Sequence, residues 1–529
     1  MGSRKLWAAD TEDDSCGNVH LINFYDGNTH YTFKKRDDAL QFFFEASKSP
    51  MEIWCTNTAY DLTNIFGPEG VLNLEITFAG SRFIAARMPG TQVVFRDTLN
   101  HWKISVEEMG KRINLKKMDA GKNYNNVEYC RRDTEITYKF VQTMRDYYES
   151  IGAKLKSTIG STSLDYFQRH HFSYQKFNPL SKSQLEYLKK GYYGGRTEIF
   201  FNKPLEGNIQ YIDVNSLYPS VMRKEFPIIK KGGFKKTKCI DLSHEGVAHV
   251  RVRCPDLYIP YLPYRDPKSG SLLFPTGIFD GYWSYFELRE AQKLGYTIEK
   301  VYSGFEFFIG NHRPFKDFVE AMYFERQKAR KSGDALLTDV FKLIPNNLYG
   351  KYAQGNVREE IVPYKKSELK AGDQIFGAGV LRKYEGDYPK HTNMIWAAYV
   401  TAYGRDFLWR GMDDIHRKGG LILYCDTDSI IFEHSDRLFD DSLDLGGFKL
   451  EGVFEYAHFK LPKLYVLKEG LEKKYRAKGV PKKSAAEFFE KGKVSFQRPY
   501  KLREVLRRNL SPKRMEKLIP NFWDVSTKE

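Results

Sequence analysis

Three stretches of the chain place together the residue types that phosphoryl transfer requires. In Tyr211-Ile-Asp-Val-Asn-Ser-Leu-Tyr-Pro-Ser220 an apolar strand ends in Asp213 and turns into a helix. A carboxylate at a strand end beside a helix N-terminus can hold a divalent cation next to incoming phosphates. In Leu421-Ile-Leu-Tyr-Cys-Asp-Thr-Asp-Ser-Ile430, Asp426 and Asp428 flank one residue at a hairpin tip. At the strand period of two they point to the same side, and like charges so close are costly unless a cation sits between them. In Phe341–Tyr352, Lys342, Asn346 and Tyr349 fall at i, i+4 and i+7, on one helix face. A cation, an amide and a ring on one face suit a triphosphate, a polar edge and a base or sugar. Phosphoryl transfer needs positioning, two metals about 4 Å apart and positive charge on the leaving group. Taken singly, each stretch has an ordinary explanation as a turn, a helix cap or a solvated helix edge; together and in this order they do not.

The N-terminal third holds a second acidic set. Asp10-Thr-Glu12 follows a short apolar strand, Asn57 and Asp61 are four apart, and so are Tyr129 and Asp133. Four carboxylates and a tyrosine in one α/β domain allow a two-metal hydrolase, with the tyrosine hydroxyl orienting the attacking water.

The elements that must position these residues follow from hydrophobic period and turn signals. Strands are predicted near Leu6–Ala9 and Glu52–Thr56. A helix is predicted over Val127–Tyr148, opening after Asn125 and Asn126 and carrying Tyr129, Asp133 and Ile136 on one face. Ser157–Ser163 reads as a polar joint, followed by helices near 163–190. Strand Ile209–Val214 runs into helix Ser216–Lys224. Helices cover about 315–331 and 336–352, where Pro345 predicts a kink. Residues 357–391 read as a hairpin-like insertion, 421–432 as a hairpin, and 484–517 as mostly helical and basic.

Length and charge narrow the function classes. The 529 residues allow three or four domains. Lys and Arg number 83 against 67 Asp and Glu, a net +16, which favours a polyanionic partner. From Lys460 to Lys517 there are 19 basic residues against 6 acidic ones, interleaved with Tyr465, Tyr475, Phe488, Phe489, Phe496 and Tyr500. That pattern fits a clamp on a phosphate backbone. Aromatics at 15% exclude wholesale disorder. No apolar run approaches the roughly 20 residues of a membrane span, and no secretory signal is read. Cysteines 16, 55, 130, 239, 254 and 425 form no CxxC pair, which fits a reducing compartment.

Through the motifs DxxSLYPS, KxxxNxxYG and YxDTDS the chain resembles the family B DNA polymerases. It is most similar to the protein-primed branch found in small bacteriophages whose linear genomes are capped by a terminal protein. The resemblance implies a multidomain α/β fold: an RNase H-like DEDD exonuclease domain followed by a right-hand polymerase of palm, fingers and thumb with two insertions. Its implied boundaries are 1–155 exonuclease, 156–233 first part of the palm, 234–312 first insertion (terminal-protein docking), 313–356 fingers, 357–391 second insertion (strand displacement and processivity), 392–478 second part of the palm and 479–529 thumb.

The resemblance also implies residue roles. Asp213 and Asp428 would coordinate both catalytic metals, assisted by the Val214 carbonyl and supported by Asp426. Tyr218 would be the steric gate that rejects a 2′-hydroxyl. Lys342 would bind the triphosphate, and Asn346 and Tyr349 would line the nascent base pair. Tyr192-Tyr-Gly-Gly195 is similar to the YxGG hinge, with Tyr192, Gly194 and Gly195 on the template. Lys463-Leu-Tyr465 is similar to the KxY motif, with Lys463 and Tyr465 at the primer terminus. In the editing domain the implied metal ligands are Asp10, Glu12, Asp61 and Asp133, with Tyr129 orienting the water and Asn57, Tyr60 and Thr98 holding a single strand. A catalytic lysine is implied; Lys117 is the choice, with Lys116 nearly as good. Asn347 and Asp13 depart from the family, which usually has Ser and often Thr there. The two spans from Asp213 to Lys342 and from Tyr349 to Asp426, 129 and 77 residues, hold the two insertions.

The implied cofactor is Mg²⁺, two per active site, with Mn²⁺ able to substitute. The implied partners are template-primer DNA, dNTPs, a terminal protein primer and a single-stranded-DNA-binding protein, for a monomer in the host-cell cytoplasm. The alternative is a family B polymerase that extends ordinary DNA primers in replication or repair. A nuclease whose second half only grips DNA, and a DNA-binding scaffold, are both disfavoured because neither carboxylate set is broken.

Overall fold

The computed structural model describes residues 4–14, 18–80, 82–119, 127–171, 180–227, 234–307, 311–364, 369–376, 379–499, 502–508 and 514–519. Two large sheets carry the two acidic sets. In the first, Lys5–Asp13 lies parallel to Met51–Cys55, which lies parallel to Val94–Asp97. Val19–Tyr25 and His30–Phe33 extend one side antiparallel, and Arg82–Arg87 and Glu75–Ala79 the other. Helix Val127–Ser150 covers this sheet with Cys130, Asp133, Ile136, Phe140 and Met144 buried along one stripe. The predicted opening at Asn125 and Asn126 lies outside the described residues.

The sheet does not end with its own third of the chain. Val357–Pro363 pairs antiparallel with Glu75–Ala79, Ile361 opposite Ile76, and Gly379–Glu385 and Gln374–Phe376 continue it to ten strands. The predicted hairpin at 357–391 is thus an extension of the N-terminal sheet.

The second sheet has seven strands. Its order is Glu472–Ala477, Leu464–Glu469, Phe448–Leu461, Leu205–Val214, Ser429–Glu433, Leu421–Asp426 and Thr197–Ile199. Helix Met394–Arg417 is almost wholly buried beside it. Helices Lys316–Lys331 and Ala335–Tyr352 form an adjacent pair. The latter stays one helix with Pro345 inside it. In the chain between strand Leu205–Val214 and helix Lys316–Lys331 comes a four-stranded antiparallel sheet, in the order Phe234–Thr237, Thr297–Phe307, Glu245–Cys254 and Gly277–Ser284.

Two predicted segments differ. The polar joint at Ser157–Ser163 is the start of helix Ile159–His170, because the Thr158 hydroxyl accepts from the Ser161 N–H and caps it. The mostly helical reading of 484–517 is also corrected. Helix Lys482–Lys491 stops at Gly492, φ 70°, and Val494–Pro499 pairs antiparallel with Arg514–Ile519 around a short helix, Leu502–Arg508. Val494 and Phe496 alternate with polar residues at the strand period, and the glycine allows the left-handed stop. Leu502 and Leu506 then bury themselves in the N-terminal core, and Arg503 Nη2 meets Glu359 Oε2 at 2.7 Å. Tyr500 lies outside the described residues.

Candidate active sites

The first site forms where two strand ends meet. Asp213 ends strand Leu205–Val214 and sits opposite Ser429 in antiparallel register. The Val214 N–H donates to the Asp428 carbonyl at 2.7 Å, which fixes Asp428 beside it. Burial and then the Asp428 charge push the Asp213 carboxyl up to about 7, while Lys342 and Lys449 pull it back. Burial and Asp426 likewise raise Asp428. Half-buried carboxylates raised by burial and by a neighbouring carboxylate suit a bound cation.

The strand-period argument for Asp426 and Asp428 needs correction. Thr427 between them is left-handed, φ 62°, so the pair spans a turn, and each carboxylate has its own surroundings. Asp426 accepts from the hydroxyls of Thr197 at 2.9 Å and Tyr424 at 3.3 Å, and Lys463 Nζ lies 3.6 Å away. Asp426 is therefore a braced side chain that ties Lys463 to the site. Tyr465 is buried against Tyr424 and Phe459, so it supports the sheet beneath Lys463.

The turn is held from the Tyr192–Gly195 motif and the Arg196 that follows it. The Thr427 N–H donates to the Arg196 carbonyl at 2.6 Å. A Cβ on Gly195 would lie 2.9 Å from Thr427 Cγ2 and 3.1 Å from the Tyr218 hydroxyl, whereas one on Gly194 would meet nothing within 4 Å. Arg405, which the sequence reading missed, donates to the carbonyls of Tyr193 and Gly194, both at 2.8 Å, and to Glu287 at 2.6 Å. Tyr192, half-buried, packs against the same core as Tyr218 and Tyr349.

The Tyr218 ring stands 4.5 Å from Tyr349, with Gly404 close against it. Burial pushes its hydroxyl up to about 12. Lys342 is exposed and acts electrostatically on both Asp213 and Asp428. Asn346 turns its amide onto the Lys342 carbonyl at 2.6 Å, and Asn347 does the same to Leu343 at 2.8 Å. Both amides are engaged with their own helix here, so only Lys342 and Tyr349 of the predicted face point to the carboxylates or to Tyr218.

Arg326 is the basic residue of 325–331 that reaches the site. Its Nη1 lies 3.3 Å from Ser216 Oγ and 3.4 Å from Asn215 Oδ1, and its Nε is buried without a hydrogen-bond partner. Ser216, Tyr323, Arg326, Lys342 and Pro345 line one cavity. Helical spacing could have found it: Arg326 follows the buried Val319 and Met322 at i+7 and i+4.

The second site lies on the first sheet. Asp10 and Glu12 come from Lys5–Asp13, Asp61 from helix Thr58–Val71 and Asp133 from Val127–Ser150. Burial and Asp61, Glu12 and Asp133 raise Asp10 well above the usual carboxylate range. Glu12 is pushed up to about 7 by burial and Asp133. Thr11 donates to Asp61 Oδ1 at 2.9 Å, but Asp61 Oδ2 and Asp133 Oδ1 are buried with no hydrogen-bond partner. Orphaned carboxylate oxygens within electrostatic reach of Asp10 and Glu12 fit divalent cations. Cys130 comes within ligand spacing of Asp10 and Glu12, but burial raises its thiol well above its usual range and it donates to the Asp10 carbonyl. It packs the site as a neutral thiol.

Of Lys116 and Lys117, it is Lys117 that touches the acidic set. Lys117 Nζ lies 2.5 Å from Asp133 Oδ2 and 4.8 Å over the Tyr129 ring, while Lys116 is exposed. Burial opposes the Lys117 charge, but its bonds to Asp133 and Tyr129 outweigh this and push its pKa up. Asn57 is left-handed, φ 70°, and exposed, its backbone N–H held by Asp97 at 3.2 Å. The Asp97 carboxylate also accepts from Thr58 and Leu99, so it organises this edge unforeseen. Tyr60 is half-buried and hydrogen-bonded to Asp13 and Asn64. Thr98 is fully buried and donates to Thr56 at 3.0 Å, so it supports the edge from inside and presents nothing to a strand.

Known proteins resemble this chain in sequence and in fold. Residues 95–383, more than half of the chain, match the family described as DNA polymerase type B, organellar and viral. A probable DNA polymerase of Podospora anserina is 27% identical over 396 residues, 66% of this chain and 32% of its own length. The DNA-directed DNA polymerase of Enterobacteria phage PRD1 is 27% identical over 361 residues, 65% of this chain and 60% of its own. The chain spans about a third of the length of the fungal relatives it matches. Phi29 DNA polymerase complexed with primer-template DNA and incoming nucleotide substrates superposes with a TM-score of 0.77 at 18% identity, covering 98% of this chain and 99% of that one. That likeness shows the fold: a multidomain α/β chain with an exonuclease-type sheet ahead of a polymerase body. The chain belongs to the organellar and viral type B DNA polymerases.

Proposed function

We propose that the chain is a DNA-templated DNA polymerase with 3′–5′ proofreading activity, primed by the hydroxyl of a terminal protein and replicating a viral linear genome. One observation carries the synthesis half: Asp428 is held beside Asp213, Lys342 and Tyr218 lie within electrostatic reach of these carboxylates, and Arg326 stands on the adjoining Asn215 and Ser216. Asp213 and Asp428, helped by the Val214 carbonyl, would hold two Mg²⁺ ions, whose chemistry is to make the attacking 3′-hydroxyl more acidic and to offset negative charge on the leaving pyrophosphate. Arg326 and Lys342 would hold the triphosphate, and Tyr218 would pack under the sugar and select dNTPs. Lys463 would hold the primer end through its tie to Asp426, and Tyr192, Gly194 and Gly195 would meet the template.

For editing, Asp10, Glu12, Asp61 and Asp133 would hold the metals. Lys117 fixes Asp133 and the Tyr129 ring, so that the tyrosine hydroxyl orients water. Asn57 and Tyr60 would meet the frayed strand, with Thr98 supporting them from within.

Residues 1–155 would be the exonuclease domain, 156–233 and 392–478 the palm, 313–356 the fingers and 479–529 the thumb. The first insertion, 234–312, would dock the terminal protein. The second, 357–391, would separate strands and keep the enzyme on DNA. Supporting that role, it extends the N-terminal sheet and meets the C-terminal helix through Glu359 and Arg503. The phage and viral relatives support work in a host-cell cytoplasm, and a single-stranded-DNA-binding protein would cover the displaced strand. Among the described residues no helix is long and apolar enough to cross a membrane.

The test is extension of one primer on a circular single-stranded template with dNTPs and Mg²⁺, with Asp428→Ala as control. Products longer than one circle, absent in the control, are expected. Short products would remove strand displacement from the reading. Primer degradation without synthesis would favour a nuclease. Terminal-protein priming is tested separately by transfer of labelled dNMP to protein, and its absence would favour ordinary DNA primers.

A further inference from the structure

Arg196 follows the glycine pair of Tyr192–Gly195, and its side chain is only 1% exposed. Its carbonyl accepts the Thr427 N–H at the turn between Asp426 and Asp428. Its guanidinium runs away from the turn, into the excursion 255–276 that separates two strands of the four-stranded sheet. There Nη1 donates to the Pro260 carbonyl at 2.7 Å and Cζ stands 4.0 Å from the centroid of the Phe274 ring. Nε bonds Glu198 Oε2 at 2.7 Å.

The excursion is itself fastened. Trp409 donates to the Ile259 carbonyl at 2.8 Å, and Tyr261 donates to Asp406 at 3.1 Å, both partners on helix Met394–Arg417. Trp283 donates to the Pro263 carbonyl at 2.8 Å. Ile259, Tyr261 and Leu262 share a core with Cys425 and Ile430 of the catalytic hairpin. A buried guanidinium is costly to desolvate, and its planar fork gives fixed geometry that an apolar filler would not.

We infer that Arg196 is a positioning residue for nucleotide addition, a strut that holds the Asp426-Thr-Asp428 turn against the 255–276 excursion. The inference rests on the reading of Asp213 and Asp428 as the synthesis site. A left-handed threonine between two like charges has few restraints of its own, and the Arg196 carbonyl supplies one of them.

The test uses the full chain with Arg196→Met, Arg196→Lys and Phe274→Leu. Single-turnover primer extension gives the maximal rate and the dNTP half-saturation, and fluorescence anisotropy gives primer–template affinity. Arg196→Met should lower the maximal rate by about ten- to a hundredfold, as displaced reacting groups do, with half-saturation and DNA affinity unchanged. Arg196→Lys should recover part of that rate but stay below wild type. Phe274→Leu should act in the same direction, and combined with Arg196→Met should add little. A wild-type rate in Arg196→Met, or a loss confined to half-saturation, would overturn the inference. If Arg196→Met fails to bind DNA, Arg196→Lys decides: an intermediate rate with intact binding supports the strut, and a wild-type rate refutes it. No extension by the wild-type chain would instead overturn the underlying reading of the site.

Discussion

The two adjacent glycines of the Tyr192–Gly195 motif are equivalent in sequence and opposite in structure. A Cβ on Gly195 would lie 2.9 Å from Thr427 Cγ2 and 3.0 Å from its hydroxyl, against 3.4 Å and beyond for ordinary contact. Relief requires the Thr427 side chain or its turn to move by about half an ångström. Over-packing of this kind costs about 1–3 kcal/mol. The strain falls on the turn that fixes Asp428, so it should appear in the barrier, where 1.36 kcal/mol is tenfold; Gly195→Ala should slow nucleotide addition by about five- to 150-fold. Gly194→Ala meets open space and should leave the saturated single-turnover rate near wild type. The assay is rapid-quench extension by one nucleotide at saturating DNA and dNTP. Degradation of single-stranded DNA by the same preparations controls for the integrity of the N-terminal sheet. A Gly195→Ala rate within experimental error of wild type, or equal losses for the two glycines, would refute the packing argument.

Three further predictions follow from single contacts. Lys117→Gln should reduce 3′–5′ degradation by about a hundredfold while Lys116→Gln changes it little, because only Lys117 touches Asp133 and Tyr129; equal effects in a gel-based exonuclease assay would remove that assignment. Arg326→Ala should raise the dNTP KM by about ten- to a hundredfold through loss of charged hydrogen bonds. Arg330→Ala, at an exposed position on the same helix, should not, and steady-state kinetics separates the two. Arg503→Ala should shorten products made per binding event by up to about tenfold, measured with a DNA trap, without slowing single-nucleotide addition, since its partner Glu359 lies on the strand 357–363.

The local chemistry was legible in the sequence because it depends on short spans with a fixed backbone period. Asp213 at a strand end, Lys342 and Tyr349 on a helix face, and Asp10 with Glu12 on one strand are separations of a few residues. The family motifs added order and implied roles. What the spans could not give was set by contacts between distant segments. Asp426 and Asp428 differ because Thr427 is pinned left-handed by Arg196, more than 200 positions earlier. Lys117 is separated from Lys116 by Asp133 and Tyr129, and Arg326 from its basic neighbours by Ser216 and Asn215. Thr98 looks polar and surface-bound in sequence, yet strand pairing of Val94–Asp97 with Met51–Cys55 buries it. The hairpin 357–385 gave no sign of joining the N-terminal sheet, because antiparallel pairing is written in backbone hydrogen bonds that any side chains of the right alternation can satisfy. Residue type and period thus determined which chemistry the chain can do. The register between distant strands decided which of several equivalent side chains does it, since only there do desolvation and neighbouring charge make one carboxylate or one cation different from the next.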